Sequence, residues 1–124
     1  MIAGANLGYR LLELGITINA ATASVFGLGR PAAIGITPTS PATVLAEDGG
    51  NTATGNTTTA LAWGTAPTAP TNFFRRVSLP ATIGAGFIWT FPRGIVVLKA
   101  LTSVLWNPSA GSNSVADVWC VVDE

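Results

Sequence analysis

Turn-forming residues interrupt this chain so often that no long helix can be written through it. Fourteen glycines and eight prolines fall among 124 residues, beside nineteen alanines and sixteen threonines. Proline lacks the N–H that a helix interior needs, and ordering a glycine costs more backbone entropy than ordering any other residue. Between these breaks lie short apolar runs, several of which alternate with period two, the mark of half-buried strands. A chain of this length closes around one core. The expectation is therefore all-β: a single-domain antiparallel β-sandwich over residues 1–124, jelly-roll-like, with short or no helices.

The runs can be placed. Residues 9–14, between Gly8 and Gly15, read as one strand or a single helical turn, and 15–19 and 23–28 as further short strands. Residues 33–37 and 42–46 flank the Pro38-Thr39-Ser40-Pro41 turn, and proline confines them to edges or strand ends. Glu47-Asp48-Gly49-Gly50-Asn51 is a turn by composition. Thr57, Thr59, Leu61 and Trp63 alternate with Thr58, Ala60 and Ala62 along one strand, and 65–72 is an extended linker. Five clearer runs follow at 73–79, 86–91, 94–98, 102–107 and 114–122. Three of the four tryptophans, Trp89, Trp106 and Trp119, lie in the last 36 residues, so the core is expected there, with Trp89 and Trp106 inside it.

Charge is scarce: six cationic and six anionic side chains, 10% of the chain, with a net charge of zero. Soluble proteins average about 25%. A surface so thinly charged is poorly defended against association. Zero net charge also removes the long-range attraction of a basic protein to nucleic acid or an anionic membrane, and neither partner is expected. With no histidine, imidazole-based triads and histidine-ligated metal sites are excluded. One cysteine, Cys120, forms neither an intrachain disulfide nor a zinc pair, and its apolar run (118–122) reads as core. The chain opens Met1-Ile2-Ala3-Gly4 with no basic leader, and its uncharged stretches are broken by Thr, Asn, Gly and Pro. Neither a signal peptide nor a membrane span is expected.

No motif supplies chemistry. Gly27-Leu28-Gly29-Arg30-Pro31-Ala32 fits a dinucleotide fingerprint, but Pro- and Thr-rich sequence stands where its helix should follow. Glu47-Asp48 lacks the alternating acidic spacing of a calcium loop, and the six carboxylates show no pairing suited to glycoside hydrolysis. No catalytic residue, cofactor or metal is expected. Arg75 and Arg76 follow Phe73 and Phe74; in a strand the two guanidiniums point to opposite faces, which suits a salt bridge or an inter-subunit hydrogen bond better than a phosphate patch.

The segments from Arg75 to Ala81, Trp89 to Val97, Val104 to Asn107 and Ala116 to Glu124 resemble small virion proteins of tailed bacteriophages, namely capsid decoration or cement proteins of the jelly-roll type. The resemblance implies a β-sandwich, often a homotrimer, that binds the major capsid protein on the outside of an icosahedral shell. It would be made in the host cytoplasm and end on the capsid exterior. Such proteins share no active site, so the resemblance assigns no residue. From the residues themselves, an apolar N-terminus (1–14) that precedes the aromatic half is expected to serve as an arm, or as the first strand. Leu7, Tyr9 and Leu11, with Arg75 and Arg76, are the expected capsid or subunit contacts. The alternative is a tail-spike, fibre or carbohydrate-binding β-sandwich that uses exposed tryptophans.

Overall fold

The second strand organises the molecule. In the computed structural model, which describes residues 1–3, 8–52, 57–98, 104–106 and 115–124, β2 spans Tyr9–Ile18 and is hydrogen-bonded on both sides. The remaining strands are β1 Ile2–Ala3, β3 Ser24–Gly29, β4 Ile36–Pro38, β5 Pro41–Ala42, β6 Thr57–Ala60, β7 Trp63–Thr65, β8 Phe73–Leu79, β9 Gly86–Val97, β10 Val104–Trp106 and β11 Ala116–Asp123. No described residue is helical, and every strand pair is antiparallel. Two three-stranded sheets, β11-β2-β9 and β10-β3-β8, contribute to one hydrophobic core. Two smaller pieces, β1-β6-β5 and β4-β7, complete the described structure. The expected all-β antiparallel sandwich is thus the fold. Its main sheets have three strands each among the described residues, fewer than the four of a jelly-roll sheet.

β2 stays a single strand because its inward face changes parity at a bulge. Tyr9 and Leu11 face the core, and after Leu12 the inward set becomes Leu14, Ile16 and Ile18. Leu12 is the extra residue opposite β11, where Val122 pairs with Leu11 and Val121 with Glu13. On the other side, Leu11 pairs with Ile95 and Glu13 with Thr90, so Phe91-Pro92-Arg93-Gly94 forms an excursion opposite Leu12. Residues 86–91 and 94–98, expected as two strands, are therefore one. Pro92 is tolerated because β9 lies at the sheet edge and its missing N–H falls in the excursion. Gly94 adopts φ 65° there, and a Cβ on it would come within 2.9 Å of the Arg10 Cβ.

Among the described residues, β2 and β3 supply most of the buried core. Of its eleven buried residues, five come from β2 (Tyr9, Leu11, Leu14, Ile16, Ile18) and two from β3 (Phe26, Leu28), with Leu79, Trp89, Phe91 and Val97 completing it. Of the last 36 residues, where the core was expected, Trp89, Phe91 and Val97 are buried, and 99–103 and 107–114 lie outside the described residues. Aromatic residues suggested it, yet Phe87 and Trp119 are exposed at the margins of the β11-β2-β9 sheet. Trp89 is buried, as its alternation predicted. Trp106 pairs with Gly27 in the β10–β3 ladder, and its side chain lies outside the described residues.

The expected strand 57–63 is divided. The chain bends at Leu61-Ala62, where Leu61 N–H donates to Ser40 O and Ala62 O accepts from Thr39 N–H, so β6 and β7 join different sheets. The Gly27 and Gly29 of the dinucleotide-like motif are strand residues. A Cβ on Gly27 would lie 2.5 Å from the Phe73 ring, and one on Gly29 2.9 Å from Pro70. These glycines let neighbours close over β3, which is a packing task.

Candidate interaction surfaces

Residues 31–72 hold only two charges, Glu47 and Asp48, and carry β4 to β7. Ile34, Ile36, Leu45 and Leu61 are exposed in this stretch, Leu45 at 80% and Leu61 at 84%. The segment is nevertheless built. Ile36 pairs with Thr65 and Pro38 with Trp63, Thr68 N–H donates to Ala33 O at 3.0 Å, and Pro67 and Pro70 are buried. Asp48 closes the acidic turn: its backbone O accepts from Asn51 N–H at 3.0 Å, and its Oδ2 accepts from Asn51 Nδ2 at 3.4 Å. The described part of this stretch thus exposes four large apolar side chains among small polar residues and only two charges.

The arginine pair diverges, as alternation requires. Arg75 lies 5.9 Å over the Phe91 ring and donates from Nη1 to Phe74 O at 2.8 Å, whereas Arg76 lies 5.7 Å over Phe73. Both guanidiniums are exposed and held by cation–π stacking on their own domain. Arg75 and Arg93 line an open depression of about 400 Å³ at the β9 excursion, and Arg10 Nη1 donates to Arg93 O at 3.2 Å beside it.

Tyr9 and Leu11 stand elsewhere. They are 2% and 0% exposed, in the centre of the core, so their side chains fill the domain and have no face to offer a partner. The apolar N-terminal segment was expected to be surplus to the core; at these two positions it is core. Leu7 lies outside the described residues.

One surface was legible only as a loose tryptophan. Trp119 of β11 is paired with Gly15 of β2, which is paired in turn with Ile88 of β9. The indole lies across Gly15, occupying the place of a side chain: a Cβ there would run into the six-membered ring. Its Nε1–H donates to Glu13 Oε1 at 3.3 Å. Trp119 remains 40% exposed and Ile88 51%. By alternation and register, Asp117, Thr17 and Thr90 share this outward face.

Cys120 points the other way, toward the core, and lies 3.3 Å from the Met1 sulfur. Burial pushes its thiol above the ordinary value, an effect partly offset by the charge of the Met1 amino group. A thiol so placed is a poor nucleophile. Among the described residues no three His, Cys, Asp or Glu side chains are grouped to hold a metal ion, and no helix is long and apolar enough to cross a membrane. Comparisons with protein families, curated proteins and solved structures find no match to this chain.

Proposed function

We propose that the protein is a structural component of a bacteriophage virion, which decorates the outside of an icosahedral capsid and clamps neighbouring capsid subunits. The observation that carries this reading is the exposure of Ile34, Ile36, Leu45 and Leu61 in the stretch 31–72, which holds only two charges. Large apolar side chains presented in this way mark surfaces that another protein covers. The resemblance of the C-terminal segments to decoration proteins supplies the class of partner, the major capsid protein, and a homotrimer supplies a way to cover the rest.

Light scattering after size exclusion tests the self-association. The expected result is a homotrimer, burying more than about 1,200 Å² in its interfaces. A monodisperse monomer at micromolar concentration would overturn the proposal's account of the missing charges. Sedimentation with phage capsids tests the partner, and Leu45→Asp with Leu61→Asp should abolish binding or trimer formation while the fold persists.

A further inference from the structure

From the Trp119 face of the β11-β2-β9 sheet we infer a second site, independent of shell binding: a platform for a neutral oligosaccharide. Three observations converge on it. The indole is fixed flat, because Gly15 leaves room for it beneath and Glu13 Oε1 holds its Nε1–H at 3.3 Å. Trp119 is nevertheless 40% exposed. Ile88 continues the apolar floor across three strands, about 10 Å in all. Covering Gly15 accounts for the inner side of the ring alone. It does not account for the polar rim that the register sets around the floor.

The register sets Glu13, Asp117, Thr17 and Thr90 around the floor, with Val121 opposite Glu13. A pyranose has the matching construction, with an apolar C–H face and hydroxyl groups around its edge. The C–H face packs on the indole, whose π cloud is the negative side of its quadrupole. Carboxylates accept hydrogen bonds from the hydroxyls, and charge makes those bonds stronger than neutral ones. Preorganisation favours the site, since the hydrogen bond to Glu13 and the contact with Gly15 already restrain the ring. The sign of the rim sets the class of sugar. Two carboxylates beside the ring repel uronic or sialic acids, so the ligand is neutral.

The experiment uses the full-length chain on an array of neutral and acidic glycans, followed by calorimetry with the best neutral oligosaccharide found. Neutral glycans are expected to bind and acidic analogues to bind at least about tenfold more weakly. Trp119→Ala should lower affinity about tenfold or more, a loss of about 1.4 kcal/mol. Trp119→Phe should retain part of the binding, and Ile36→Ala should leave it unchanged. Because Trp119→Ala also uncovers Gly15, Asp117→Asn provides the second arm: it keeps the ring and should weaken binding without altering the melting temperature. The inference is overturned by an array without neutral binders, by binding that survives Trp119→Ala, or by a preference for acidic glycans. None of these outcomes bears on trimer formation or shell binding, which are read separately.

Discussion

Thr37 has φ 55°, the left-handed region, and is the one non-glycine among the described residues with a positive φ. A β-branched side chain there suffers a clash that glycine escapes, at a cost of about 1–2 kcal/mol. Thr37→Gly should therefore raise stability by about 1 kcal/mol despite the freer unfolded chain, measured as a higher midpoint in urea. A lower midpoint would mean that the Thr37 side chain contributes more than its strain costs. Cys120 yields a pH dependence. Burial raises its thiol pKa above the ordinary 9.0, so the folded state holds the proton more tightly than the unfolded state does. That stability is complete below the unfolded pKa and is lost as pH rises from about 9 through the folded value. Cys120→Val should flatten the loss of melting temperature above pH 9, and the wild-type thiol should react with a disulfide reagent more slowly than a free cysteine does at pH 8.

Among the elements, β2 governs stability. Leu11→Ala should cost about 2–5 kcal/mol and Trp89→Ala about 3–5 kcal/mol, read from denaturant midpoints at unchanged slope. Deleting residues 1–11 removes Tyr9 and Leu11 from the core, so the expected outcome is loss of folding. A folded truncation that no longer bound shells would restore the N-terminal arm. Local chemistry exposed some elements and hid others. β8 runs from Phe73 to Leu79 as its composition indicates, because Asn72 and Pro80 bound it and nothing distant alters it. β2 is divided on paper by Gly15, since a glycine reads as a break; its actual cause is the indole of Trp119, far along the chain. β9 is divided on paper by Pro92-Arg93-Gly94, and only the extra residue Leu12 on its partner reveals that the strand continues. Among candidate contacts, Arg75 and Arg76 could be placed from alternation alone. Tyr9 and Leu11 could not, because burial depends on partners the sequence does not name. Exposed tryptophans were a candidate for sugar binding, but that Trp119 is the one was hidden for the same reason, as its floor and rim come from three strands.

The whole molecule is built without local pairing in its main sheets. β2 is flanked by β9 and β11, and β3 by β8 and β10, so no main-sheet strand is bonded to its neighbour in sequence. Chains whose contacts join distant segments fold slowly, because loop closure costs entropy before any contact repays it. Refolding is expected in about milliseconds to seconds, and a stopped-flow signal from Trp89 complete within microseconds would contradict this. The same wiring sets an order during synthesis. β2 emerges from the ribosome first among the core strands, carrying five of the eleven core side chains, yet its last partner ends at Asp123. Until β11 has been added, those side chains wait beside an open edge, and a nascent chain stalled before residue 115 is a target for chaperones or for premature aggregation.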